Sequence, residues 1–105
     1  MSPQAKTEAV QLVAWGDNEL LCPKCGESNA HHSRISVYQR SENRSWVQRI
    51  IIIGDKVTSN TVISEAGNPS LRRHGLAIEF SCEQCGSIGE LTIAQHKGQT
   101  LINWR

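Results

Sequence analysis

The chain has 105 residues, a hydrophobic share of 38% and a formal net charge of +1. That length favours one domain with a modest core, and the near-neutral balance excludes a whole-molecule field that would by itself draw in nucleic acid. The longest apolar runs, Leu12 to Trp15 and Ile50 to Ile53, fall far short of the roughly 20 residues of a membrane-spanning helix, so no membrane contact is expected.

Residues 1–8 are polar and expected to fray as a flexible N-terminus, leaving 9–105 as a single domain. Ser2 could cap a short helix with Pro3 at its first position. Met1 to Lys6 has no apolar run behind it, so no signal peptide is read there. Val10, Leu12 and Ala14 then alternate with Gln11, Val13 and Trp15 as in a strand, Gly16-Asp17-Asn18 is a turn, and Glu19-Leu20-Leu21 returns. This hairpin leads into Cys22-Pro23-Lys24-Cys25-Gly26.

Glu27 to Ala30 reads as a loop. Next comes a half-buried strand with Ile35 and Val37 on one side and Arg34, Ser36 and Tyr38 on the other. Ser41 to Ser45 reverses the chain. Trp46 to Ile53 is the most β-prone segment; its four isoleucines place apolar groups on both faces, as in a strand buried on both sides or one that meets a partner. Gly54-Asp55-Lys56 turns the chain into a strand ending near Ile63. Ala66 to Ser70 carries breaker residues, and Leu71-Arg72-Arg73-His74-Gly75 extends that loop with a basic tip. Leu76, Ile78 and Phe80 alternate toward Cys82-Glu83-Gln84-Cys85-Gly86. Glu90 to Gln95, a Lys97-Gly98 turn and Thr100 to Trp104 complete a second hairpin.

The four cysteines thus fall in two copies of C-x-x-C-G, and there are no others. Each copy bends so that two sulfurs face one point and backbone N–H groups inside the bend can reach them. The glycine after each second cysteine permits the positive φ that turns the chain away, and Pro23 pre-sets φ in the first copy. Cys22, Cys25, Cys82 and Cys85 are therefore read as a tetrahedral four-thiolate site for Zn²⁺. Disulfides would need an oxidising compartment, and a thioredoxin-type pair would sit at a helix start, whereas both copies follow strand-like sequence. Thiolate ligands without an export signal point to the cytoplasm.

With its two knuckles carried on β-hairpins, the chain resembles the zinc-ribbon superfamily. The four cysteines match the ligand positions of that pattern one for one. The resemblance implies a small all-β domain around a structural zinc, with a β excursion over roughly residues 30–75 on which the family pattern is silent. Zinc ribbons serve transcription, translation, replication and protein docking, so the resemblance narrows fold more than function. Rubredoxins also hold one metal, iron, with two such phrases. They are shorter, acidic and rich in core aromatics, unlike this chain.

Two working surfaces stand out. Arg34, Tyr38, Arg40, Arg44 and Arg49, together with the Arg72-Arg73 pair, are candidates for nucleic-acid contact, with arginines on phosphates and rings near bases. Trp46 and His74 lie among them; the alternative is a solvated strand face with Trp46 in the core. Ile50 to Ile53 could instead form an edge for a protein partner or for self-association. His31, His32, His74 and His96 are read as surface or loop residues rather than a second metal site. No Ser/His/Asp set, carboxylate pair or Gly-rich phosphate loop marks an enzyme. The expectation is a non-catalytic zinc-ribbon protein that binds nucleic acid (DNA or RNA), or else a protein-interaction adaptor.

Overall fold

Alternating β-branched and aromatic residues, broken by glycine turns, commit this chain to strands. The structure, a computed structural model, describes residues 8–13, 18–41, 44–62, 67–71 and 73–105. The strands are β1 (Glu8–Ala9), β2 (Leu12–Val13), β3 (Glu19–Leu20), β4 (Ala30–Gln39), β5 (Val47–Ile53), β6 (Lys56–Val62), β7 (Gly75–Cys82), β8 (Gly86–His96) and β9 (Gln99–Trp104). The described residues contain no helix, in keeping with the all-β expectation, and hence none long and apolar enough to cross a membrane. The Ser2-Pro3 helix start, Ala14 to Asp17 of the first hairpin, Glu42-Asn43, Ile63 to Ala66 and Arg72 lie outside the described residues.

All strand pairs are antiparallel. One sheet runs in the order β1-β9-β8-β7-β4-β5-β6, and β2 with β3 forms the expected hairpin before the first knuckle. The excursion between the knuckles folds back onto the second ribbon: β4 pairs with β7 from Ala30↔Cys82 to Tyr38↔Gly75, and β5 and β6 continue outward as a meander. Lys97 and Gly98 both adopt positive φ (50° and 81°), as a two-residue hairpin turn matched to strand twist requires.

Several boundaries differ from the sequence reading. Glu8 pairs with Trp104, so the backbone is tied into the sheet one residue earlier than expected. β4 starts at Ala30, and β8 starts at Gly86 directly from the knuckle. The edge reading of Ile50 to Ile53 is overturned: β5 is hydrogen-bonded to β4 on one side and β6 on the other, so its backbone groups are already used.

Register assigns side chains to faces, because residues paired across strands share a face. One row on the first face reads Trp104, Leu91, Ile78, Ile35, Ile52 and Val57 across β9 to β6. The next reads Ile102, Ile93, Leu76, Val37, Ile50 and Ser59. The opposite face carries Arg34, Ser36 and Tyr38 of β4 beside Ile53, Ile51 and Arg49 of β5.

The core is split between these faces. At the cysteine end of the first face, Cys22, Cys82, Ile88 and Trp104 cluster with Val10, Leu20, Ala30, Phe80 and Leu91 around them. A register shift after Phe80 leaves Ile88 as the extra residue in β8, and such a bulge re-aims a side chain; Ile88 is buried in this cluster. On the opposite face, Tyr38, Val47 and Ala77 form the second cluster, with Val62 against it. Residues 67–71 close over that side. Asn68 and Ser70 are buried, the Gln95 amide donates to Ser70 Oγ at 2.9 Å, and Gly67 lies against the Tyr38 hydroxyl, where a Cβ would approach to 2.9 Å. Burial therefore inverts the naive reading of β4: Ser36 and Tyr38 are buried while Ile35 and Val37 are only half-buried.

Candidate metal centre and basic cleft

The two knuckles arrive from separate hairpins. The first follows β3 and the second joins β7 to β8. Gly26 and Gly86 have nearly equal positive φ, 80° and 79°, so both bends leave by the same left-handed step that glycine permits. In each, a backbone N–H two residues on donates to the first sulfur: Lys24 to Cys22 Sγ at 3.3 Å and Gln84 to Cys82 Sγ at 3.4 Å. The Glu83 amide donates to the Asn29 carbonyl at 3.1 Å, and Lys24 Nζ to the Ser87 carbonyl at 3.3 Å, which locks one knuckle against the other.

The result is a cage in which all four Sγ atoms lie within 4.8 Å of one another. Cys22 to Cys85 is 4.0 Å and Cys25 to Cys82 is 3.7 Å. Sulfurs at 2.3 Å from a tetrahedral ion are about 3.8 Å apart along each edge, so this spacing matches an S₄ metal site. It is well beyond a bonded S–S pair, and all four cysteines are free. Cys22 and Cys82 are buried, while Cys25 and Cys85 are exposed.

The electrostatics also call for a cation. Burial pushes the Cys22 thiol up, but backbone hydrogen bonds from Cys25 and Lys24 and the neighbouring sulfurs outweigh it, and its pKa falls to about 7. Cys85 is raised to about 12, by desolvation first and then by the sulfurs of Cys25, Cys82 and Cys22. A backbone bond at Glu27 lowers Cys25, but desolvation and its sulfur neighbours prevail and raise it. Four like charges cannot share so small a volume unaided; a bound metal ion lets every thiol ionise.

The histidines have separate places. His31 Nε2 meets Glu83 Oε2 of the second knuckle at 2.6 Å. His32 stands edge-on to Phe80 at 6.3 Å, and His96 is exposed at the end of β8. His74 Nδ1 accepts the Arg40 amide at 2.8 Å.

The arginine candidates do not converge on one surface. Tyr38 is only 5% exposed, within the second core cluster, which removes it as a base-stacking ring. Arg34 and Arg49 lie on its side of the sheet, each with a buried Nε that has no hydrogen-bond partner among the described residues. Arg73 is half-buried in the loop, where its carbonyl accepts from Asn68 Nδ2 at 3.0 Å. Arg40 and Arg44 do come together, in a shallow cleft of ≈ 340 Å³ with Gln39, Ser41, Trp46, Gln48 and His74. Arg40 is braced there, its Nε donating to the Arg44 carbonyl and its Nη1 to the Leu71 carbonyl, both at 3.0 Å. The Arg44 guanidinium lies 4.4 Å from the Trp46 ring centroid, and Trp46 is 36% exposed, not a core residue. Nothing in the one-dimensional pattern marked Gln39 or Gln48 as cleft residues. The Arg44-x-Trp46 spacing did carry a signal, since residues two apart on extended chain share a side.

The cleft lies at the end of β4, and the cysteine cage at its start. The ten residues of β4, nine steps of about 3.3 Å, put roughly 30 Å between them. No family model matches this chain, and no curated protein or solved structure matches it.

Proposed function

We propose that this chain is a non-catalytic, zinc-ribbon-like binding protein of the reducing cytoplasm that takes nucleic acid at the Arg40–Trp46 cleft. Zn²⁺ on Cys22, Cys25, Cys82 and Cys85 would serve as a structural ion: with four thiolates in place a tetrahedral ion has no open position for substrate. Iron would fit the same cage, and its visible thiolate-to-iron bands distinguish the two.

The observation that carries the binding reading is the exposed Trp46 ring with Arg44 over it, beside Arg40 and His74. An indole face offers a base a sequence-tolerant stacking platform, and guanidinium groups neutralise phosphate. A ring at a strand end suits an unpaired strand better than a duplex. The test is fluorescence anisotropy of zinc-loaded protein with short single- and double-stranded DNA and RNA across a salt series. Affinity that falls with salt, and falls about tenfold or more on Trp46→Ala, supports the cleft. Absence of binding at low salt removes it.

The second reading, a protein-interaction adaptor, is favoured by the half-exposed isoleucine rows of the first sheet face. Arginine changes would damage the first function and isoleucine-face changes the second.

A further inference from the structure

The two apolar rows on the first sheet face belong to neither core cluster except at their Trp104–Leu91 corner. Ile35, Val37, Ile50, Ile52, Leu76 and Ile78 are all half-buried, and at the flanks Val57 is 64% and Ile102 49% exposed. No described residue packs over them as the loop packs over Tyr38. Below them, Gln48 bonds Ser59 and Thr61, and Gln95 bonds Thr100, so the bordering polar groups satisfy one another within the sheet. Across these rows no position from β4 to β9 is charged. The ladder charges Arg34, Arg49, Lys56, Glu79 and Glu90 all fall on the other face.

We propose that this uncharged face is a homodimer interface, two copies packing sheet against sheet about a two-fold axis. Two features select a second copy as the occupant. A two-fold contact sets the same patch against itself, and a patch without charge meets its own image with no like-charge repulsion, whereas recognition of a charged partner would find nothing here to pair with. The size also fits. Six strands at about 4.8 Å and three side-chain rows at about 6.8 Å, the two apolar rows and the Gln–Thr row that borders them, cover on the order of 600 Å² in projection. Corrugated side chains expose more than their projection, which brings the face toward the roughly 800 Å² per partner of a standard interface. Aligned packing of twisted sheets about 10 Å apart would bury the rows as the core of a sandwich. The proposal stands apart from the cleft and from its ligand.

Sedimentation equilibrium of the metal-loaded full chain at micromolar concentration should give twice the 11.7 kDa chain mass. Val37→Lys and Leu76→Lys should each yield monomers that keep the β-strand circular dichroism. Ile53→Lys, on the opposite face, should remain dimeric. A monomeric wild type overturns the proposal and returns the face to a different protein; so do folded Val37→Lys and Leu76→Lys variants that stay dimeric. Should these variants not fold, isotope-filtered NOEs in a mixed labelled and unlabelled wild-type sample decide the matter. Intermolecular contacts from the Ile35, Ile50 and Leu76 methyls support the interface, and their absence, or contacts from Ile51 and Ile53 alone, overturns it.

Discussion

Phe80 and Trp104 meet edge to face, ring centroids 5.6 Å apart, in the cluster that also buries Cys22 and Cys82. The cysteine cage and this aromatic pair therefore form one unit, and the C-terminal strand β9 is tied to the cage through packing. Loss of the metal should be felt at Trp104, which is fully clear of the knuckles in sequence.

Metal removal provides the first prediction. Mass spectrometry under native conditions should show one ion per chain, and a strong chelator or Cys82→Ser should remove it. Structural zinc contributes on the order of 10–16 kcal/mol in small zinc modules, comparable to the whole stability of a domain. Melting should therefore drop sharply, with Trp104 fluorescence shifting as its cluster opens. An unchanged melt after verified metal loss would show that the ion is not structural.

Metal affinity should climb steeply with pH. The ion requires thiolates, and Cys25 and Cys85, both raised, remain protonated through pH 6 to 8 in the metal-free protein. Each must release a proton on loading, so affinity should rise by at least about two powers of ten per pH unit. Cys22, lowered to about 7, adds to the slope only below that pH. Competition titrations with a chromophoric chelator read this directly; a pH-independent affinity contradicts the thiol-cage assignment.

Gly75→Ala should destabilise the fold by about 1–3 kcal/mol, the cost of overpacking. Its φ is not in the left-handed region; the restriction is space, since a Cβ would overlap Asn68 Oδ1 and press on Pro69 Cδ at 3.0 Å. Gly54→Ala makes the contrast, with open space but a φ of +61°, and should cost about 1 kcal/mol through backbone strain alone. Urea midpoints compare the two, and equal or smaller loss at Gly75 would contradict the packing account.

Arg40 and Arg44 should separate stability from binding. Arg40→Ala removes two charged hydrogen bonds to backbone carbonyls and should lower stability by about 1–3 kcal/mol. Arg44→Ala loses a cation–π contact with Trp46, within about 1 kcal/mol at an exposed site, yet should weaken nucleic-acid binding as much as Arg40→Ala does. Thermal melts beside anisotropy measure both, and an Arg44→Ala protein that binds as wild type would take that side chain out of the cleft's function.

The sequence by itself determined the local chemistry. Two C-x-x-C-G phrases dictate two bends with sulfurs on one side and glycine at the exit, because those constraints act within five residues. Alternation likewise fixed Ile35 and Val37 opposite Arg34, Ser36 and Tyr38, since strand geometry has period two. What only the tertiary structure decided is which side becomes the interior. Pattern alone would bury the isoleucines, but residues 67–71 cover the Tyr38 side, and no described residue covers the isoleucine rows on the other. The same holds for β4, whose pairing with β7 joins residues 37 to 52 positions apart in sequence. Arg40, Arg44 and His74 meet for that reason too. Long-range register is set by the summed packing of whole strands, and no short window of the chain contains that sum.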